Sequence, residues 1–282
     1  MNLDDAIGLI KKRWPDVVSQ AQDEPVFVLA AGWRSGSTLL QRMLLNNCLV
    51  WGEPFGSSGI IERLSQPLCR FAPDWPGDKF FIESAHWGPR PSERWTANLY
   101  PSVQDLQEAH VSFFRTLLAE PSRRRGCARW GLKEVRYGVE HAVYLRWLFP
   151  RARFLFLLRS PYECWSSYRR TGGRVLRFFP EPLITTPEQF GSHWLKLAEG
   201  FCNRHREVDG LLLRFETFTK PDFDVKPLEQ YLGFGLNLVA REKRVGASPA
   251  GPLSEDEMER LHKVVEPLAK RLGYLKPVRG EP

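Results

Sequence analysis

The stretch Val26-Phe-Val-Leu-Ala-Ala-Gly-Trp-Arg-Ser-Gly-Ser-Thr-Leu-Leu40 decides how this chain is read. Its first six residues form a short apolar, partly β-branched run between Pro25 and Gly32, the pattern of a strand buried in a parallel sheet. Gly32 to Gly36 is a tight loop, and beyond it Leu39, Leu40, Met43 and Leu44 recur at helical spacing as far as Asn47. Where a strand turns through glycines into a helix, free backbone N–H groups and the helix dipole favour an anion. The loop departs from the triphosphate-binding pattern GxxxxGK[ST], with Ala31 in place of the first glycine and Ser37 in place of the lysine. That lysine reaches the β- and γ-phosphates of a triphosphate, so its replacement argues against ATP or GTP hydrolysis. Arg34, inside the loop, brings positive charge instead. The competing reading is an ordinary glycine turn capped by Ser37.

Outward from this unit, strands and helices alternate. Residues 1–23 read as a helix, Cys48–Trp51 as a second strand, and 103–119 as a helix. Trp130–Lys133 is a strand and 139–148 a helix; Arg153–Leu158 (RFLFLL) is the clearest buried strand, followed by a helix over Pro161–Arg170. An amphipathic helix is predicted over 187–208, a strand over Leu211–Phe215, and helices near 225–232 and 254–272. This order predicts an α/β fold, a central parallel sheet with helices on both faces. Residues 55–101 read as irregular, with six prolines from Pro67 to Pro101 and three tryptophans. A loop of that length inside a compact domain is usually functional. The expected organisation is an N-terminal helix at 1–24, one domain over 25–275 with substrate-side insertions at 55–101 and 171–200, and a tail at 276–282.

At 282 residues, 43% hydrophobic and 26% charged, the chain has the make-up of a globular protein, which excludes disorder and fibrous repeats. No apolar run is long enough to span a bilayer, the N-terminus lacks the pattern of a secretory signal, and the five cysteines form no CxxC clip. A reducing, cytoplasmic setting is the expectation. Net charge is +7, but from Pro121 to Arg177 fourteen Lys or Arg face only three acids, while the rest of the chain carries 26 basic and 30 acidic residues. Such a local excess points to an anionic ligand: nucleic acid, a phosphorylated small molecule, or only a solvated basic face.

Leu157-Leu-Arg-Ser-Pro161 ends the best strand and opens a helix, with Ser160 as N-cap and Pro161 at the first helical position. Arg159 therefore stands at the carboxyl end of a parallel strand, where open α/β sheets bind ligands. Ser167 lies eight residues on, about two helical turns, and can face the same side. A guanidinium and a hydroxyl form a monophosphate clamp; the alternative is an arginine capping a neighbouring loop.

Taken together, Trp33-Arg-Ser-Gly-Ser-Thr-Leu-Leu40 and Phe154-Leu-Phe-Leu-Leu-Arg-Ser-Pro-Tyr-Glu-Cys-Trp-Ser-Ser167 resemble the sulfotransferases that use 3′-phosphoadenosine 5′-phosphosulfate (PAPS). The resemblance covers residues 25 to 246 and extends to Trp51-Gly-Glu-Pro54, Trp130-Gly-Leu-Lys-Glu134 and Arg214-Phe-Glu-Thr217. It implies a P-loop-kinase-like sulfotransferase fold in which Arg34, Ser35, Gly36, Ser37 and Thr38 bind the 5′-phosphosulfate, and Arg159 with Ser167 (or Ser166 in a shifted register) the 3′-phosphate. Lys243 and Gly246, in Arg241-Glu-Lys-Arg-Val-Gly246, look like a late cofactor loop, a looser match.

Sulfuryl transfer needs both partners positioned, charge on the bridging oxygen stabilised and the acceptor proton removed. In the branch with Gly-Glu after the first helix, the resemblance makes Glu53 the base; the cytosolic aryl and steroid branch uses a histidine in a Lys-Thr-His segment that this chain lacks. His86 and Glu134 are the other candidates for the base. Structurally, Glu53 could instead cap a helix after Pro54. Lys133 matches the lysine that stabilises the bridging oxygen, or forms an ion pair with Glu134 or Glu53, and Arg34 supplies charge beside it. Glu216 reads as structural. Phe55, His86 and Trp87 join Glu53 on the acceptor side, whose Trp and Phe content suits a sugar face, an aromatic ring or an acyl chain. The expected partners are PAPS, with product 3′-phosphoadenosine 5′-phosphate (PAP), and a small-molecule or glycan acceptor; no metal cluster, nucleic-acid motif or membrane span is foreseen. Two rivals stand: a small-molecule kinase with a degenerate P-loop, which would need Mg²⁺, and a basic nucleic-acid-binding module, which would bind with steep salt dependence.

Overall fold

The structure, a computed structural model, describes residues 1–70, 82–83, 88–93, 96, 99–171, 184–242 and 251–277. Helix α1 spans Leu3–Arg13, capped by Asn2, whose Oδ1 accepts from the Asp5 amide at 2.8 Å; it buries Leu3, Ala6, Ile7 and Ile10. The expected helix to residue 23 stops here because Pro15 follows: the residue before a proline is driven out of the α region, and Trp14 has φ −125° and ψ 71°. Strand β1 is Val26–Ala30, helix α2 Ser37–Leu44 and strand β2 Cys48–Gly52.

The first part of the segment read as irregular is helical. A 3₁₀ turn at Gly56–Ser58 leads into α3, Ile60–Ser65, and a second 3₁₀ stretch over Gln66–Arg70. Ile61 and Leu68 are buried, a spacing obscured in the sequence by the prolines that come after it. Two short strands, β3 (Ile82–Glu83) and β4 (Leu99–Tyr100), pair in parallel. Helix α4, Val103–Phe114, opens with a capping box between Ser102 and Asp105 and continues through a π-turn at Arg115–Ala119 into α5, Glu120–Arg123.

Then follow β5 (Arg129–Glu134), α6 (Val139–Leu148), β6 (Arg153–Leu158), α7 (Pro161–Tyr168) and α8 (Pro187–Arg204). Strand β7 (Leu211–Arg214) passes directly into α9 (Phe215–Phe218), and α10 (Lys226–Leu232), α11 (Val239–Glu242) and α12 (Glu255–Arg271) complete the described chain.

The five long strands form one parallel sheet in the order β2-β5-β1-β6-β7. All five residues of β1 are buried, as its unbroken apolar run requires of a central strand. Phe27 on β1 packs against Trp130, Phe149 and Phe154, ring centroids 5.3–6.3 Å apart. Because β5 and β6 flank β1, the loops leaving the carboxyl ends of these three strands are brought side by side. The topology therefore gathers Arg34, Lys133 and Arg159 along one edge of the sheet although 125 positions separate the first from the last.

Candidate active site

The loop from β1 to α2 is held in a conformation that only certain residues tolerate. Gly32, Arg34 and Gly36 all have positive φ, at 82°, 64° and 87°. Gly36 is the N-cap of α2, so Ser37 is the first helical residue and not the cap; no side chain caps this helix. A Cβ on Gly36 would lie 2.1 Å from the Phe215 ring, which excludes any other residue at this point. Ser35 is fully buried, and its hydroxyl has no partner among the described residues. An orphaned hydroxyl beside the free N–H groups of a helix start is a donor set suited to phosphate or sulfate oxygens. Ser37 is buried and Thr38 exposed at the same turn.

The second motif locks onto this loop. Arg159 donates from Nη1 to the Arg34 carbonyl at 2.9 Å and from Nε and Nη2 to Glu163 at 3.0 and 2.5 Å, with its guanidinium 4.3 Å from the Phe215 ring centre. Arg34 in turn donates from Nε to the Ser167 hydroxyl at 2.8 Å. Ser166 faces elsewhere, donating to the Gly251 carbonyl at 2.6 Å, so it is Ser167 that shares a side of α7 with the loop. Ser160 stands at the N-cap position of α7, yet its hydroxyl caps nothing; its amide donates to Glu216 Oε1 at 2.8 Å, and Tyr274 donates to the other oxygen at 3.2 Å. Glu216 thus has the structural place read for it.

At the other end of the edge, register sets Gly52 beside Lys133, and the Glu53 amide donates to the Lys133 carbonyl at 3.0 Å. The Lys133 ammonium donates to Glu53 Oε1 in an ion pair whose lysine side chain is 8% exposed and whose carboxylate is 25% exposed. Glu134, also weighed as a base, points away from this pair. It is 1% exposed and held bidentately by Arg136 at 2.6 and 2.9 Å. Burial pushes its carboxyl up, against the pull of the guanidinium. A group so sealed cannot collect a proton from a substrate, and the structure removes it from the list of bases. Phe55 is 67% exposed. His86, Trp87, Lys243 and Gly246 lie outside the described residues.

Three residues near the site were missed in the sequence. Glu163 is visible afterwards as an i,i+4 partner of Arg159. Arg136 carried no signal beyond its place two residues past a strand end. His193 sits in the apolar stripe of α8 with Phe190, Trp194 and Leu197, where a lone polar residue could have been marked. Its ring stacks on Trp33 of the loop, centroids 4.9 Å apart.

Burial, with Lys196 and Arg136 nearby, pushes His193 down to about 4 from 6.5. Between those values the unfolded chain holds the extra proton, so stability falls as pH drops from 6.5 to 4 and levels off below. The expected swing is about 3 kcal/mol at most. His193→Phe, which retains a ring against Trp33, should flatten this part of the pH dependence in urea unfolding measured at pH 7 and 4.5; an unchanged slope would show that another group carries it.

Residues 25–219 match the profile described as "Sulfotransferase family". The chain, an α/β fold built on a parallel five-stranded sheet, belongs to the sulfotransferase family. None of the curated proteins matches it. Among solved structures it is similar to the sulfotransferase domain from the curacin biosynthetic pathway, at 15% identity over 92% of this chain and 100% of that one, TM-score 0.49. It is also similar to sulfotransferase STF9 from Mycobacterium avium, at 13% identity over 95% and 84% of the two chains, TM-score 0.43. For sulfotransferase STF1 from Mycobacterium tuberculosis H37Rv the values are 17%, 96%, 82% and 0.41. Among the described residues no helix is long and apolar enough to cross a membrane, and no group of three or more His, Cys, Asp or Glu could hold a metal ion.

Proposed function

We propose that this sulfotransferase takes its sulfuryl group from PAPS and delivers it to the hydroxyl of a small-molecule or glycan acceptor. The observation that carries the reading is the pair of hydrogen bonds, Arg159 to the Arg34 carbonyl and Arg34 to Ser167, that fuses two separate phosphate-type motifs into one cradle. A loop for the 5′ end and a guanidinium–hydroxyl clamp for a 3′-phosphate are what a 3′,5′-bisphosphorylated nucleoside requires. The nucleotide brings the activated S–O bond; the rest falls to the protein. Ser35, Ser37, Thr38 and the N–H groups at the start of α2 orient the donor. The acceptor oxygen attacks sulfur, its proton passes to Glu53, and the bridging S–O bond breaks with its electron pair on the departing nucleotide. The Lys133 ammonium, beside Glu53, and Arg34 offset the charge that develops there. No metal enters this scheme. The acceptor side is assigned to Glu53, Phe55, His86 and Trp87, and the late loop to Lys243 and Gly246. The single domain is taken as residues 25–275, with residues 1–24 as its N-terminal helix. The five cysteines, all free, fit a reducing cytoplasm.

The test is a thermal or denaturant melt with nucleotides. PAP at a hundredfold its dissociation constant should add about 2.7 kcal/mol, unchanged by EDTA, whereas ATP with Mg²⁺ should add little. Stabilisation by ATP–Mg²⁺ equal to that by PAP would favour the kinase reading and overturn this one.

A further inference from the structure

Glu53 does not reach Lys133 by strand geometry alone. Past Gly52 the chain leaves the sheet through a turn in which the Gly56 amide donates to the Glu53 carbonyl at 2.9 Å and the Ser58 amide to the Phe55 carbonyl at 3.2 Å. Within it Phe55 has φ 57° and ψ 26°, and Gly56 has φ 57°. Left-handed backbone is ordinary for glycine, but for a bulky side chain it is a genuine outlier that costs about 1–3 kcal/mol. The Phe55 ring does not offset that cost, since it is 67% exposed. Something else over-determines the turn.

Among the described residues two side chains bond to the turn's backbone: Arg63 of α3 donates from Nε to the Ser58 carbonyl at 2.9 Å at the far end of the turn, and Arg136 alone reaches it from the sheet edge. Arg136 donates from Nη1 to the Gly56 carbonyl at 2.5 Å while its Nε and Nη2 are occupied by Glu134. The Arg136 and Glu134 side chains are 3% and 2% exposed, so this is a charged pair taken out of water. A buried ion pair is a poor source of stability, because desolvation offsets most of its Coulomb gain. Its value lies in geometry: a planar guanidinium fixed on one edge by a carboxylate has no freedom left at its remaining nitrogen. Glu134 is also the residue immediately after Lys133, on the last step of β5. The clamp and the lysine are thus parts of one rigid strand end, and the turn bearing Glu53 is pinned to it twice, through Lys133 and through Arg136.

We propose that Arg136, locked by Glu134, is a positioning residue that holds the strained Glu53–Ser58 turn and thereby sets the Glu53 carboxylate against Lys133. The catalytic meaning of this arrangement rests on the reading of Glu53 as the base, but the arrangement itself is measurable without turnover.

The variant that tests it is Glu134→Gln/Arg136→Met, which removes both charges and leaves no unpaired ion in the core. Amide hydrogen exchange at Gly56 and Ser58 should rise at least tenfold. The side-chain carboxyl ¹³C resonance of Glu53, assigned by its loss in Glu53→Gln, should move from its wild-type position. PAP binding by calorimetry should stay within twofold, because the nucleotide cradle lies on other loops. Adding Phe55→Gly to the double variant should restore slow exchange and the wild-type resonance, since glycine adopts φ 57° without strain. General loosening of the core would not be rescued by a change at an exposed position. Should the double variant fail to fold, Arg136→Lys is read in the same way: it retains the charge but cannot span Glu134 and the Gly56 carbonyl together. Wild-type exchange and an unmoved Glu53 resonance in the folded variant, or no rescue by Phe55→Gly, overturns the proposal. Normal turnover by Glu53→Gln alongside an intact clamp signature would overturn only the assignment of Glu53 as base.

Discussion

Glu53→Gln should lower sulfuryl transfer by about 10²–10⁴ while PAP affinity stays within a factor of about two. The amide matches the carboxylate in size and still accepts a hydrogen bond from Lys133, so the turn and the buried ammonium retain their partner. What it lacks is a site for the acceptor proton. The ion pair sharpens this expectation. Lys133 is 8% exposed and its nearest carboxylate is Glu53, so the two form a compact unit at the ends of adjacent strands β2 and β5. Removing the charge of one member should perturb the reaction and hardly touch the proposed nucleotide cradle, which is built from the loop after β1, the start of α2, Arg159 after β6 and α7. The measurement is transfer from labelled PAPS to an acceptor returned by a screen of alcohols and glycans, beside calorimetric titration with PAP. Near-normal turnover would make Glu53 a turn residue that orients the acceptor, and would hand the base to His86, because Glu134 is sealed by Arg136.

Arg159→Ala should weaken PAP binding about 30- to 150-fold, equivalent to about 2–3 kcal/mol for a charge-assisted clamp on a phosphate. Two effects contribute. The guanidinium no longer meets the 3′-phosphate, and the Arg34 carbonyl loses the donor that ties the first loop to α7. Ser167→Ala removes the neutral half of the clamp, a hydroxyl that also accepts from Arg34, and should cost less, about 0.5–1.5 kcal/mol. The order of the two losses is therefore part of the expectation. A thermal melt run in parallel separates binding from folding: a lowered Tm with unchanged PAP affinity would return Arg159 to the role of a structural clip between Glu163, Phe215 and the loop.

Much of the architecture was legible because its signals are local. A short apolar run such as Val26–Ala30, or the FLFLL of Arg153–Leu158, is too short for a buried helix and rich in β-formers, and the glycines and Pro161 that follow mark where the chain leaves the sheet. The helices over 139–148, 187–204 and 255–271 are written in their periodicity and capping residues, and each lies within a few residues of where it was read. Where a single residue competed with the period, the boundary moved: Pro15 ends α1 early, and Phe215 opens a helix instead of finishing a strand. The helical start of the 55–101 segment went unread because the prolines beyond Pro67 coloured the whole of it.

By itself, then, the sequence determined the α/β class, the order of the strands along the chain, the two turns that follow β1 and β6 and the arginine carried by each, since these depend on residues within a few positions of one another. Only the tertiary structure decided which distant groups meet: that Ser167 and not Ser166 joins Arg34, that Lys133 turns to Glu53 while Glu134 is taken by Arg136, and that Gly36 must be glycine because Phe215 lies against it. Side chains one residue apart on a strand point to opposite faces, and neighbours on a helix differ by about 100°. Whether Ser166 or Ser167 joins Arg34, and whether Lys133 or Glu134 turns to Glu53, is therefore settled by how the elements pack across the sheet, and no local pattern records it.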